Sequence, residues 1–348
     1  MGRIGWHDIK DATFPAGQST PRTVINSNDG KIDVYATEIP ADGIAGYAPS
    51  CICKDVASGK VYINEGSATS CAFKEILTTA PYGTAAGRGP SPAIWNGCPV
   101  MDFILDPTQG WVWFDDFIVD APLLANNNTT PVAVGSGWWG ETSATAGSAV
   151  AVATDNPNGE IDITTTTTDE VALLSALNGH NTAGMVKFKA GKKTWFEARV
   201  AVTNVTDAKC ATFVGFAEEG LLGNATLIDA DQAIVDKDFI AFVQLPADGD
   251  AWQTRYNTAS GGVGVNGSAI SATADVIVTT VYAKLGIYCD GTNIYFYADG
   301  VKLADSVALA TANVPDGEEL CLYLGTGSVD GGDCVLSVDW VRVAQEIN

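Results

Sequence analysis

Residues 281–305 read VYAKLGIYCDGTNIYFYADGVKLAD, three apolar and aromatic segments separated by two Asp-Gly pairs. An Asp-Gly pair between alternating hydrophobic runs is the strongest short-range signal for a β-hairpin. The spacing therefore predicts strands at Val281–Cys289, Asn293–Ala298 and Val301–Asp305, joined by tight turns. Consecutive hairpins build an antiparallel sheet, which offers faces, rims and loops for binding and no phosphate-cradling strand-to-helix turn.

Hydrophobic alternation continues this strand pattern through the C-terminal two-thirds of the chain. In Trp195–Val202 every second residue is apolar, while charged residues such as Glu197 fall on the opposite face. Further strands are predicted at Glu319–Leu324 and Cys334–Val343, and one short helix at Leu227–Val235. The sequence thus predicts an all-β protein whose larger part is an antiparallel β-sandwich.

Composition divides the chain into four segments. Residues 1–30 are polar and predict an extended N-terminal arm, and residues 31–77 predict a small β domain. Residues 78–112 are rich in Pro and Gly and predict a linker, which leaves residues 113–348 for the sandwich. The small β domain is too short to bury a stable core alone, so we expect it to pack on a neighbour.

The charge of the chain limits its partners. The formal net charge is −22, and only 8 of the 19 basic and 11 of the 41 acidic residues lie up to Val112. The C-terminal two-thirds is therefore strongly acidic, and it repels phosphate backbones and anionic lipids. We expect neither nucleic acid nor a membrane as a partner.

The eight cysteines show no C-x-x-C spacing, and the N-terminus has no apolar segment typical of a secretory signal. We expect free thiols, buried as small hydrophobic groups, in a protein made in a reducing cytoplasm. The glycines of Gly261-Gly262-Val-Gly264 follow a strand but precede neither a helix nor a lysine, so we expect no cofactor.

Three motifs carry a family resemblance: Trp195-Phe-Glu-Ala-Arg-Val, Tyr295-Phe-Tyr-Ala-Asp-Gly-Val and Ser337-Val-Asp-Trp-Val-Arg-Val. They resemble an inner strand, an aromatic hairpin and the closing strand of the concanavalin-A-like jelly rolls. That fold is shared by lectins, laminin-G domains and laminarinase-type glycoside hydrolases. The resemblance implies a jelly-roll β-sandwich for residues 113–348.

A second resemblance covers the small β domain. Gly46-Tyr-Ala-Pro-Ser-Cys-Ile-Cys and Val61-Tyr-Ile-Asn-Glu-Gly-Ser-Ala-Thr-Ser-Cys-Ala-Phe-Lys74 are similar to a β module of tailed-bacteriophage structural proteins, as is the Phe114-Asp-Asp-Phe117 junction. The resemblance implies a virion protein that decorates or cements the capsid by binding the assembled major capsid protein lattice. Such a protein would be made in the host bacterial cytoplasm, lie on the capsid exterior and form a homo-oligomer, for which a trimer suits the role.

The arm carries the residues expected to contact the capsid. They are apolar anchors and basic partners for shell carboxylates, namely Arg3, Ile4, Trp6, Lys10, Phe14 and Arg22.

One predicted strand decides whether the sequence carries the catalytic residues of a glycoside hydrolase. Laminarinase-type enzymes carry Glu-x-Asp-x-Glu or Glu-x-Asp-x-x-Glu, which places two carboxylates on one sheet face. Glu160 and Asp162 match the start of this pattern, but Thr164 and Thr165 occupy both positions of the acid/base. A threonine hydroxyl cannot supply the proton at neutral pH. We therefore predict no catalytic residue and a protein that is not an enzyme, with a glycoside hydrolase as the least favoured alternative.

Two further sites stay open as alternatives. Host-surface glycans would make the protein a lectin-like receptor-adhesion or fibre domain, with Trp138, Trp139, Trp252 and Tyr256 as stacking residues, although paired tryptophans are more often core or interface anchors. A calcium site is conceivable at Asp229, Asp231, Asp236 and Asp238, although they lack the spacing of an EF-hand and a solvated acidic loop explains them as well.

Overall fold

The structure is a computed structural model of the chain. It describes residues 23–26, 32–36, 41–43, 49–55, 61–67, 69–76, 87–118, 123–124, 129–135, 137–142, 148–153, 159–166, 170–177, 184–203, 210–222, 227–229, 231–246, 250–259, 264–328 and 333–347. The chain divides into two units, Met1–Pro81 and Tyr82–Asn348.

The first unit contains one five-stranded sheet with its strands in sequence order. The strands are β1 (Thr23–Asn26), β2 (Ile32–Ala36), β3 (Ile52–Asp55), β4 (Val61–Asn64) and β5 (Phe73–Ile76). Strands β2 and β3 pair in parallel, and the other neighbours pair antiparallel. Cys51, Cys53 and Cys71 are buried in this unit.

The second unit contains two short helices and sixteen further strands among the described residues. They are α1 (Pro92–Trp95), α2 (Val100–Leu105), β6 (Gly110–Asp115), β7 (Val132–Gly135), β8 (Trp138–Thr142), β9 (Ala149–Val152), β10 (Ile161–Thr165), β11 (Glu170–Ala176), β12 (Thr194–Thr203), β13 (Cys210–Glu218), β14 (Phe239–Gln244), β15 (Ala251–Asn257), β16 (Ser268–Val276), β17 (Ala283–Cys289), β18 (Asn293–Ala298), β19 (Val301–Ala308), β20 (Leu320–Ser328) and β21 (Cys334–Glu346). Neither helix, nor any other helical segment of the described residues, has the length and apolarity to cross a bilayer.

These strands form two eight-stranded antiparallel sheets. Sheet A has the order β19-β18-β17-β12-β21-β10-β9, with β6 paired to the C-terminal half of β21, and sheet B has the order β16-β15-β14-β13-β20-β11-β8-β7. The all-β prediction and the jelly-roll β-sandwich of the larger segment are confirmed. The two predicted Asp-Gly turns stand between β17, β18 and β19, and the observed Asn293–Ala298 strand has the predicted bounds.

The core lies between the sheets because alternate residues of each strand face inward. Phe196 of sheet A packs edge-on against Phe216 of sheet B at 5.1 Å, and Phe296 packs against Phe242 at 5.5 Å. The outer face of sheet B is also apolar and is covered by the loop after β13, which brings Ile228 and other residues onto it. The outer face of sheet A carries polar and charged side chains beside a separate apolar cluster around Trp195 and Tyr297.

Two predictions about local structure need correction. Leu227–Val235 is not a helix: Ile228 and Ile234 form an antiparallel bridge instead, because Asp229 accepts hydrogen bonds from the backbone N–H groups of Asp231 and Ala233 and turns the chain. Residues 87–112 of the predicted linker are also ordered on the sandwich, since α1 and α2 bury Ile94, Trp95 and Phe103. Most of the predicted arm lies outside the described residues, although β1 falls within its bounds.

Candidate functional site

The outer face of sheet A presents its side chains in rows that cross the strands. Asp162 of β10 pairs with Ser337 of β21, which pairs with Ala201 of β12. Ile161 and Ile163 point into the core, so Asp162 and its neighbour Glu160 share the outer face. This row therefore joins a carboxylate, a hydroxyl and a small side chain on a floor three strands wide.

A β-bulge in β21 shapes the next row. Arg199 pairs with Trp340 and Val200 with Val338, so Asp339 is the extra residue on β21. The bulge turns both Asp339 and Trp340 away from the core, while Val338 and Val341 remain in it. Asp339 is 2% exposed and accepts hydrogen bonds from Arg199 at 2.6 Å and from Arg88 at 2.5 and 3.0 Å.

Residues 87–105, which we call the strap, cover the remaining rows of this face. The backbone N–H of Ser91 and the indole of Trp95 both donate to one carboxylate oxygen of Glu197 at 2.8 Å. The ammonium of Lys284 donates to the carbonyls of Gly87 and Gly89. These hydrogen bonds hold the strap on the sheet, where Ile94 and Phe103 pack in an apolar cluster with Trp195 and other residues of the sheet.

Burial shifts the pKa values of Glu197 and Lys284, two charged groups beneath the strap. Burial raises the pKa of Glu197, although the hydrogen bonds from Ser91 and Trp95 oppose the shift. Burial likewise lowers the pKa of Lys284, against the attraction of Glu197. Hydrogen bonding to Asp339 raises the pKa of Arg88, so this arginine stays charged.

Beyond the strap the same face opens into a cleft of about 250 Å³. Its lining is formed by Ala153, Glu160, Asp162, Ala201, Thr203, Thr280, Tyr282 and Ser337. Ser337 donates to Asp162 at 2.6 Å, and the guanidinium of Arg199 stacks on the Tyr282 ring at 4.0 Å. Burial first, and then the nearby carboxylates of Glu160 and Asp339, raise the pKa of the Tyr282 phenol, which therefore stays protonated.

The cleft can donate and accept hydrogen bonds over a small area. Glu160 and Asp162 supply acceptor oxygens, while the hydroxyls of Thr203 and Thr280 can do both. Tyr282 contributes its ring to the wall, since its hydroxyl oxygen is buried. In and around the cleft there are three carboxylates (Glu160, Asp162 and Asp339) and the two guanidinium groups of Arg88 and Arg199. The local charge is therefore negative, and both arginines already bind Asp339.

The threonines of the hydrolase-like pattern have different environments. Thr164 is half-buried on the outer face with Asp162, whereas Thr165 is fully buried on the core side. Strand alternation explains this, because only the even positions of β10 share the face of Glu160. No second strand carboxylate therefore follows Asp162 on this face of β10.

The predicted sugar-stacking residues do not form a platform. Trp138, Trp252 and Tyr256 belong to the core between the sheets, and Trp139 is half-buried against the outer cluster of sheet B. The Trp138 indole donates to Asp115 at 2.7 Å and packs on Trp113 and Phe117. These residues stabilise the sandwich, which corrects their prediction as ligand contacts.

Three of the four predicted calcium ligands accept hydrogen bonds within the protein, two from backbone N–H groups and one from a side-chain amide. Asp229 caps its own turn, Asp236 accepts from Asn257, and Asp238 accepts from the backbone N–H of Ala259. Across the part of the chain that the structure describes, no three His, Cys, Asp or Glu side chains are placed to hold a metal ion. The capsid-contact residues Arg3, Ile4, Trp6, Lys10, Phe14 and Arg22 lie outside the described residues.

Sequence reasoning missed Arg88, Tyr282 and Asp339. A signal for Asp339 was present, because the apolar positions of the last strand shift phase between Val338 and Val341. Such a one-residue shift predicts a bulge that turns an extra side chain to the opposite face. No local pattern in the sequence could indicate the role of Arg88, because its partner Asp339 lies 251 residues later in the chain.

The chain is similar to known proteins in structure and not in sequence. No family model matches the sequence, and no curated protein matches it. An endo-1,3-β-glucanase from Streptomyces sioyaensis is 15% identical, covers 69% of this chain and 98% of its own, and has a TM-score of 0.43. The carbohydrate recognition domain of Emp47p is 12% identical, with coverages of 68% and 97% and a TM-score of 0.42. The family GH16 endo-β-1,3(4)-glucanase SCLam is 13% identical, with coverages of 68% and 92% and a TM-score of 0.41.

These likenesses concern the jelly-roll fold alone and assign no activity to this chain. The prediction that the chain is not an enzyme is contradicted, because endo-glucanases are among the structures of similar fold. The prediction counted carboxylates along one strand only. The structure brings Asp339 and Tyr282 from other segments to the same face as Glu160 and Asp162, and the spacing within β10 carries no information about them.

Proposed function

We propose that the sandwich binds carbohydrate in the cleft beside Glu160 and Asp162. The observation that carries this proposal is the row of Asp162, Ser337 and Ala201, which sets a flat floor next to acceptor oxygens and hydroxyls. A sugar ring is flat and carries hydroxyl groups around its edge, so it can lie on small side chains while its hydroxyls donate to carboxylates.

The charge around the cleft restricts the sugar. Carboxylates outnumber the guanidinium groups, and the chain as a whole has a net charge of −22. Neutral sugars and amino sugars fit this environment, whereas uronates and sialylated or phosphorylated glycans are repelled. The strap limits the site to the open rows of sheet A, so we expect a short recognition element.

The first test uses the full chain and a set of neutral, amino-sugar and uronate oligosaccharides, followed by calorimetry on those that bind. The Asp162→Asn variant removes a charged acceptor and should weaken binding about 10- to 100-fold. Asp305→Asn is the matched control, since Asp305 is exposed on β19, away from the cleft. The proposal fails if no sugar binds at millimolar concentration, or if both variants bind like the parent.

The same samples should be assayed for new reducing ends with laminarin and agarose. Hydrolysis that is lost in Glu160→Gln or Asp162→Asn would assign a catalytic role to the cleft. Binding without hydrolysis would leave a lectin-like function.

A second candidate function is attachment to a virus particle through the first unit. The supporting observation is the structure of the Tyr62-Ile-Asn-Glu-Gly66 motif. Asn64 is 1% exposed, and its side-chain oxygen accepts from the backbone N–H groups of Gly66 and Ala72 at 2.9 Å. A Cβ on Gly66 would lie 2.3 Å from the Ser70 carbonyl oxygen.

Two residues of the motif that carries the phage resemblance, Asn64 and Gly66, are thus required by this turn. We propose on this basis that the chain decorates the capsid exterior as a homo-oligomer, with a trimer as the expected state, and binds the major capsid protein lattice. Purified protein should bind heads assembled without it and should be incorporated at normal copy number. Deletion of residues 1–30 should abolish this, and unchanged incorporation would refute the role of the arm.

A further inference from the structure

We propose that Cys210 and Cys334 are a thiol pair that closes to a disulfide between the two sheets under oxidising conditions. Cys210 is the first residue of β13 in sheet B, and Cys334 is the first residue of β21 in sheet A. Both side chains are fully buried and unbridged. A bond between them would join the sheets at one end of the sandwich.

Strand register places the two thiols together. Cys210 pairs with Ser328 and Thr212 with Thr326, so Cys210 shares a face of sheet B with Thr326. The hydroxyl of Thr326 lies 2.8 Å from the sulfur of Cys334, which reaches it from sheet A. The Cys210 thiol in turn donates to the carbonyl of Asp333, the residue before Cys334, at 3.8 Å.

The surroundings of the two thiols make their oxidation slow. Burial raises the pKa of Cys334, which keeps it a thiol and protects it in a reducing cytoplasm. The residue before it, Asp333, is exposed, so fraying of the first residues of β21 brings the sulfur to solvent.

Oxidised glutathione is a sufficient oxidant. One thiolate attacks a glutathione sulfur, the glutathione S–S bond breaks, and one glutathione leaves as a thiol. The second cysteine then attacks the mixed disulfide, forms the Cys210–Cys334 bond and releases the second glutathione. The two cysteines lose two electrons and two protons, and oxidised glutathione is reduced to two molecules of glutathione.

The cross-link should stabilise the sandwich because it closes a long loop of the unfolded chain and ties sheet A to sheet B. Disulfides of this kind raise the melting temperature of a domain of this size by roughly 4–12 °C. The disulfide would also hold the two sheets together covalently, whereas the two free thiols do not.

The test equilibrates the full chain in glutathione buffers from fully reduced to fully oxidised, both directly and after unfolding and refolding in the same buffer. Remaining thiols are then alkylated, and the digest is analysed by mass spectrometry. We expect a linked Cys210–Cys334 peptide, a loss of about 2 Da and a higher melting temperature in the oxidised buffer. Cys98→Ser is the control, since it removes a half-buried thiol and should leave the linked peptide unchanged.

Cys334→Ala should abolish both the linked peptide and the rise in melting temperature. If that variant does not fold, the peptide analysis of the parent protein decides the outcome. Alkylation of both Cys210 and Cys334 in the oxidised, refolded parent would overturn the proposal, as would a dominant link between either of them and another cysteine.

Discussion

The Asp339→Asn substitution tests how the strap is held on sheet A. Asp339 is almost completely buried and binds two guanidinium groups, so the variant removes the charge that both arginines neutralise. Breaking a buried ion pair costs about 3–5 kcal/mol. The Arg88 side chain is 43% exposed and that of Arg199 is 20% exposed. Water can therefore hydrate both guanidinium groups in the variant and offset part of the lost attraction. We expect the free energy of unfolding to fall by about 2–3 kcal/mol.

Urea titration followed by far-ultraviolet circular dichroism measures this change, and thermal unfolding should show a melting temperature lower by about 4–10 °C. Hydrogen exchange adds the local readout, because amides of residues 87–105 should lose protection before those of β12. Asp305→Asn, on the exposed face of β19, should change neither quantity. A free energy of unfolding within about 0.5 kcal/mol of the parent would refute the assignment of Asp339 as the anchor of the strap.

Two further substitutions test separate parts of the structure. Burial raises the pKa of Glu197, so between the two pKa values the folded protein binds more protons than the unfolded chain. The free energy of unfolding should therefore decrease as pH rises from 4.5, the ordinary pKa, through the raised pKa of the folded state. Glu197→Gln should flatten this decrease in urea titrations at several pH values, and an unchanged slope would contradict the prediction. Gly66→Ala places a Cβ 2.3 Å from a backbone oxygen and should unfold the first unit, seen as loss of exchange protection in residues 61–76. Residues 283–289 should keep their protection, and intact protection of residues 61–76 would show that the turn can adapt.

The sandwich was predictable because its signals are local. Hairpin turns such as Asp299-Gly300 and alternating strands such as β12 show in a few consecutive residues. The cleft was predictable only in part, since Glu160 and Asp162 are neighbours in sequence while Tyr282 and Asp339 join them through sheet register. The strap was not predictable, because its Pro/Gly-rich sequence has no helical periodicity and α1 and α2 form where Trp95 and Phe103 find an apolar surface to cover.

Strand β21 pairs with β10, β12 and β6, all of which precede it by more than a hundred residues. During synthesis these three strands leave the ribosome long before β21 does, and each exposes an unpaired edge until it arrives. Sheet A can therefore close only after β21 has been translated. Until then these open edges can pair with other chains, so slow synthesis of the segment before β21 should favour aggregation.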